Sequence, residues 1–202
     1  MNINSMEQRV TRMKDAHTIE NLLCKYSYYL TAGEIKTLTG YFSETSEDIT
    51  ISLSSVGVWT GKSGLKRFFD YLMAARGDRI GQLEIHLVTN LVIQVSEDCR
   101  TAQAVLVSPG VSTGPMDGDH LASGWDWAKA NVSLIKEGGQ WKIVRLEIYD
   151  LFYAPYGHSF VGQKKPAPQV SGEFAPDYPV ASECMYSSTG VQPLIPVPPK
   201  VG

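Results

Sequence analysis

Ile19–Phe42, IENLLCKYSYYLTAGEIKTLTGYF, is the stretch that decides the fold. Ile19, Leu22, Leu23, Tyr26, Tyr29 and Leu30 recur at i, i+3, i+4, i+7, i+10 and i+11. That spacing is one stripe of an α-helix. Ala32-Gly33 breaks it, because glycine is a poor helix-interior residue and a frequent terminator. Ile35, Leu38, Tyr41 and Phe42 then resume the helical spacing. A long amphipathic helix, a break and a short helix fit a lid lying across the mouth of a cup. Residues 1–15 are polar and either continue or fray from the first helix.

Downstream, the pattern alternates between periods. Asp48–Ser54 alternates apolar and polar groups as a strand, with Val56–Thr60 as its hairpin partner. Leu65, Phe68, Phe69 and Leu72 mark a third helix opened by Gly61–Ser63, and Arg76–Gly81 reads as a polar loop. From Leu83 the period is two. Leu83–Val95, Thr101–Ser108, Ala122–Lys136 and Gln140–Tyr149 are expected strands, separated by turns at Ser96–Arg100, Pro109–His120 and Glu137–Gly139. Helices followed by a long, mostly antiparallel meander make an α+β order. The expected domain is 1–153. Residues 154–202 differ: nine of the eleven prolines fall between Pro155 and Pro199, and no ladder period survives. Aromatic residues scattered through this segment are unlike a disordered tail. It is read as an extended arm packed on its own domain or on a neighbouring subunit.

Composition narrows the function classes. The 202 residues carry a formal net charge of −3 and are 43% hydrophobic. The basic residues do not cluster, which argues against nucleic acid. No run has the length of a membrane span, and no signal peptide opens the chain. Cys24, Cys99 and Cys184 are far apart and form no CxxC pair, so neither a disulfide framework nor a zinc site is expected. The reading is a cytoplasmic protein without cofactor or metal. Asp117-Gly118-Asp119-His120 is read as a polar turn rather than a metal site. SxxK occurs at both Ser63–Lys66 and Ser133–Lys136, a recurrence that shows how little it means alone.

The stretches IENLLCKYSYYLTAGEIKTLTGYF, GKSGLKRFFDYL, IHLVTNLVIQV and GGQWKIVRLEIYD, in this order, resemble the SnoaL-like branch of the nuclear transport factor 2-like superfamily. The resemblance runs from about Met13 to about Phe152. It implies a cone: a strongly bent sheet wrapped by helices around a deep pocket. Among the family, the chain looks most like the dehydratase-type members, scytalone dehydratase and bile acid 7α-dehydratase. The resemblance sets His86 where those enzymes keep an acid/base histidine, and Tyr26 at a first-helix tyrosine. It sets Asn131 near a substrate-binding asparagine. The family's helix-end aspartate falls on Thr31, a late arginine falls near Asp150, and a second histidine has no counterpart in Thr101–Gly110. A C-terminal region that closes over the pocket in scytalone dehydratase gives one role for the proline-rich arm.

The residues themselves give candidates with two readings each. His86 shares its strand face with Val88 and Asn90; imidazole changes charge near neutral pH and suits proton transfer, while a structural histidine bonded to a carbonyl is the bland alternative. Tyr26 and Tyr29 are phenols that can donate to a carbonyl, enolate or leaving hydroxyl, or simply pack in a core. Asp150, beside Tyr149 at a strand end, is the carboxylate that could stand in for the one missing at Thr31. Arg145 and Glu147 share a face and are expected to pair with each other. The expected function is a cofactor-free dehydratase or isomerase on a hydrophobic cyclic or polyketide-like molecule, with His86 and Tyr26 catalytic and Asn131, Tyr29, Asp150 and Tyr149 binding substrate. The alternatives are a non-catalytic small-molecule-binding module, or an accessory subunit like the small subunits of ring-hydroxylating oxygenases. A homo-oligomer, dimer or trimer, is the expected assembly.

Overall fold

A computed structural model describes residues 3–76, 80–115, 121–163, 169–180 and 184–200. Asp117–His120 and much of the Arg76–Gly81 loop lie outside them. Helix α1 runs over Ile3–Ala32, so the polar start continues it rather than fraying. Its end is set by Gly33, at φ +76°, which lets Glu34 N–H reach back to the Tyr29 carbonyl at 2.9 Å. A short helix α2, Ile35–Leu38, and a 3-10 turn at Thr39–Tyr41 follow. Strands β1 (Thr50–Leu53) and β2 (Gly57–Thr60) form the expected antiparallel hairpin. Helix α3 spans Gly61–Arg76. The remaining strands are β3 (Glu84–His86), β4 (Thr89–Val95), β5 (Thr101–Ser108), β6 (Gly110–Pro115), β7 (Leu121–Glu137) and β8 (Gln140–Pro155).

Among the described residues, one eight-stranded sheet holds them, in the order β2-β1-β8-β7-β5-β4, with β6 continuing β5 along β7 and β3 pairing β6. β1 lies parallel to β8, Thr50 opposite Arg145, so the sheet is mixed and open. Two expectations change here. Leu83–Val95 is not one strand: it is interrupted at Leu87-Val88, where Leu87 N–H binds the carbonyl of Pro109 across the same break in the neighbouring strand. Proline has no N–H to continue a ladder, and both strands bend together there. Pro109–His120 is not all turn either. Its Gly/Ser/Thr/Pro composition reads as a loop, yet Gly110–Pro115 is paired on both sides, by Glu84–His86 and by Leu121–Trp125. Tertiary pairing overrides the local propensity. Asn90 at φ +47° sits where the β4–β5 register shifts, a β-bulge that adds to the curvature.

The core lies between the helices and the inner face of this sheet. Ile19, Leu38, Phe42, Ile51, Trp59 and Phe69 are fully buried in it. Phe69 meets Phe42 edge-on at 5.6 Å, and Phe68 meets Trp59 at 5.2 Å. Helix α1 is pinned near its middle by Asp15, 6% exposed, whose Oδ1 accepts from Lys136 Nζ at 2.6 Å and Trp141 Nε1 at 3.0 Å. Among the described residues, no helix is long and apolar enough to cross a membrane.

The described parts of the arm pack on the chain's own body. Asp177 N–H binds the Val58 carbonyl and Val58 N–H binds the Tyr178 carbonyl, both at 2.8 Å, so the arm adds a bridge to the β2 edge. Pro176 fills the notch left by Gly57, where a Cβ would stand 2.5 Å from its ring. Trp59 Nε1 donates to the Phe174 carbonyl at 2.9 Å. Further on, Phe160 stacks on Phe152 at 4.6 Å, and Lys129 Nζ binds the Ile195 carbonyl at 3.2 Å.

Candidate functional site

Alternation decides which side chains share the space under the helices. On β8, Leu146, Ile148 and Asp150 point inward, and on β7 Asp126, Ala128 and Ala130 do. Small alanines there keep the sheet from meeting the helices. α1 presents Leu23, Tyr26, Ser27 and Leu30, spaced i, i+3, i+4 and i+7. α3 adds Phe68, Tyr71 and Leu72. Together they enclose a cavity of about 350 Å³ with a mostly apolar wall, at the small end of ligand pockets. Among the described residues, none of the arm lines it.

His86 projects into this cavity from β3, and so does Glu84 two residues earlier. Their side chains meet: His86 Nε2 lies 3.1 Å from Glu84 Oε1, in a partly buried pair. Ser27 on α1 donates a short hydrogen bond to the backbone carbonyl of His86, tying the end of β3 to the helix. Tyr26 closes the same corner, edge-on to Tyr41 at 6.0 Å. Burial, and then the charge of Glu84, push the Tyr26 phenol well above the usual tyrosine range, so it holds its proton. Tyr71 is raised by the same two causes in the same order. Two neutral phenols, a carboxylate and an imidazole therefore converge in one apolar pocket.

Asp150 also lines the cavity, but it is locked: 3% exposed, its Oδ2 accepts from Ser54 Oγ at 3.0 Å, and Ser54 Oγ in turn accepts its backbone N–H at 2.8 Å. Asn131, Tyr149 and Tyr29 are not brought to this point. Asn131 lies on the other face of β7, donating to Glu147 Oε2 at 2.7 Å and accepting from Gln103 Nε2 at 3.0 Å. Strand alternation sends it there, between Ala130 and Val132, which face inward. Tyr149 shares that outer face opposite Lys129, its phenol raised by burial and then by Glu147 and Cys184. Tyr29 is 38% exposed and rests on Tyr41. Arg145 Nη1 stands 3.8 Å from Glu147 Oε1, an outer-face pair. Among the described residues, no group of three His, Cys, Asp or Glu is arranged to hold a metal ion.

Glu84, Tyr71 and Ser27 are among the polar cavity residues that reading the sequence passed over. Glu-x-His inside a strand puts both side chains on one face, and Tyr71 follows Phe68 by three on α3. Both signals stand in the chain.

The model of the SnoaL-like domain matches residues 11–147. The chain belongs to the SnoaL-like domain family. No curated protein is significantly similar to it in sequence. A crystal structure from Novosphingobium aromaticivorans, provisionally named scytalone dehydratase, superposes with a TM-score of 0.59 at 22% identity, covering 78% of this chain and 99% of that one. Hexachlorocyclohexane dehydrochlorinase LinA-type3 from Novosphingobium barchaimii gives 0.57 at 17% identity over 77% and 99%. A nuclear transport factor 2-like protein with a cystatin-like fold, also from N. aromaticivorans, gives 0.54 at 17% over 73% and 88%. These likenesses establish the fold: a curved sheet under N-terminal helices. The matched domain ends before the proline-rich arm.

Proposed function

We propose that this SnoaL-like protein is a cofactor-free lyase or isomerase for a small hydrophobic cyclic molecule, with His86 as the proton-transfer group. The pair of His86 Nε2 with Glu84 Oε1 at 3.1 Å, inside an apolar cavity, carries the reading. An ionised carboxylate only accepts, so it holds the ring proton on Nε2 and makes Nδ1 the basic nitrogen. Nδ1 takes a proton from carbon. The C–H electron pair becomes a double bond as a leaving group departs with its own pair, or becomes an enolate that the imidazolium reprotonates elsewhere. Glu84 stabilises the imidazolium, and neutral Tyr26 donates a hydrogen bond to the oxygen on which charge develops. Ser54-locked Asp150 is a fixed acceptor for a ligand hydroxyl. Dehydration and dehydrochlorination, the activities for which two structural neighbours are named, are both eliminations, which supports this class.

The test starts without a known substrate. Cyclic ketones such as 2-tetralone are incubated with the protein in D2O, and exchange at the carbon beside the carbonyl is followed by NMR. A panel of cyclic β-hydroxyketones and chlorinated cyclohexanes is followed by mass spectrometry. His86→Ala, with the fold intact, should abolish whatever exchange or turnover the wild type shows. Turnover unchanged in that variant refutes the reading. The second reading, a binding module, draws on Thr31, which stands outside the cavity and leaves α1 without a carboxylate there; saturable binding of these probes with no exchange or turnover would favour it.

A further inference from the structure

His86 is paired directly across the ladder with Gly110 of β6, and the next strand brings Asp126 alongside. Residues directly opposite in a sheet point to the same face. Any side chain at 110 would therefore rise beside the imidazole on the cavity side. The room for it is already taken. A Cβ at Gly110 would stand 2.6 Å from His86 Nδ1 and 2.9 Å from Cε1, and closer still to the Asp126 carbonyl oxygen. Real Cβ atoms are not found so near other heavy atoms. The imidazole thus leans over β6, with Nδ1 and Cε1 standing above the glycine on the cavity side, while Nε2 turns to Glu84 at 3.1 Å.

We propose that Gly110 is a positioning residue for His86: the absence of a side chain there seats the ring in the one orientation that meets Glu84. The inference rests on the role proposed for His86 but is read by a measurement that does not need turnover. Glu84 fixes which nitrogen carries the proton, Ser27 fixes the strand end through the His86 carbonyl, and Gly110 fixes the ring's tilt. A methyl at 110 leaves the imidazole two ways to go, upward into the cavity or sideways to another staggered rotamer, and either one breaks the Glu84 alignment.

The experiment compares wild type, Gly110→Ala, His86→Ala and the double variant by 15N-imidazole NMR, circular dichroism and thermal melting. The His86 signals are assigned by their loss in His86→Ala. In the wild type, at a pH where the ring is neutral, one nitrogen should carry the proton and the two 15N shifts should be widely split. In folded Gly110→Ala, that split should collapse toward the average of exchanging tautomers. A folded variant with unchanged His86 shifts overturns the proposal. If Gly110→Ala unfolds or melts early, the double variant decides: recovery of the fold or melting temperature when the imidazole is also removed supports the clash with His86. An equal loss in both backgrounds places the cost at the Asp126 backbone and overturns it. Retained tautomer collapse without any exchange or turnover in the wild type would leave Gly110's role standing while refuting catalysis.

Discussion

Replacing Asp177 by alanine should unfasten the arm from the β2 edge. The carboxylate accepts from Thr60 N–H at 2.8 Å and from Thr60 Oγ1 at 3.0 Å, and it pairs with Arg67. Hydrogen bonds to a charged group are worth about 1.5–3 kcal/mol net. Here about 30% of each side chain in the ion pair is exposed, so the ion pair itself adds only about 0.5–1 kcal/mol. The backbone bond dominates, and water replaces part of the rest, giving a loss of about 3 kcal/mol. For a chain of this size that lowers the melting temperature by roughly 6–12 °C. Trp59 is the reporter, since its indole N–H is bonded to the arm at Phe174; urea unfolding is followed by its emission, with Trp59→Phe subtracting the other tryptophans. The pH dependence follows from the sign of the shift. Burial raises the Asp177 pKa, but the Thr60 amide and hydroxyl and the Arg67 guanidinium outweigh it and hold the carboxyl below its ordinary value. A depressed folded pKa gives stability that is present above the unfolded value, about 3.9, and is lost as pH falls through the folded one. The gap between wild type and Asp177→Ala should therefore be full at neutral pH and close only below about pH 4. A variant within about 0.5 kcal/mol of wild type at pH 7 would refute the idea that this carboxylate holds the arm. Arg67 neighbours Phe68 on α3, which lines the cavity, so the arm's anchor stands one residue from a wall of the site.

Glu84→Gln keeps the side chain's size but offers an amide that can donate, so the ring proton is no longer held on Nε2; catalysed exchange should fall by about 10²–10⁴-fold with the fold retained, and a loss below about tenfold would deny Glu84 its orienting role. Tyr26→Phe should cost about 10²–10³-fold in kcat if the phenol binds a developing oxyanion, measured on the same probe. It has a second signature: a raised phenol pKa gives stability that is complete below the unfolded value, about 10, and is lost as pH rises toward the folded one, so Tyr26→Phe should flatten the alkaline limb of a stability–pH curve followed by denaturant melts.

The helices were legible because their apolar spacing is unambiguous: the stripe from Ile19 to Leu38 and the 65–72 stripe both lie in helices with buried members. The hairpin at β1–β2 was legible for the matching reason, a period of two around a polar turn. β6 was not, because GVSTGP carries no hydrophobic alternation and its strand character comes from neighbours on both sides. The parallel contact of β1 with β8 joins positions 95 residues apart and leaves no local trace. Of the site, His86, Tyr26 and Asp150 could be picked out as chemistry-bearing residues on inward faces. Asn131 and Tyr149 were drawn in by resemblance and by proximity in the chain, and the pleat sends both to the outer face. Parity along β7 and β8 already separates them: positions 130, 132, 146, 148 and 150 line the cavity, and 131 and 149 alternate away from it.

On the function proposed above, the place of Glu84 beside His86 accounts for a non-acidic Thr31. A base on a strand and an acid on a helix meet only if helix and sheet dock in one register, so that each mutation of the interface moves the pair. Two residues two apart on a strand are separated by about 6.5–7 Å between Cα atoms whatever the helices do, and their side chains share a face. Over that span an aspartate is short by a methylene, while a glutamate reaches the far imidazole nitrogen, as Glu84 does at 3.1 Å. The ring must also lean along the sheet rather than stand off it, and Gly110 on the neighbouring strand is what leaves it room. Chain length at 84, ring tilt at 86 and the missing side chain at 110 are thus one geometric solution. With it, α1 is left to supply Tyr26 and Ser27 and to close the cavity.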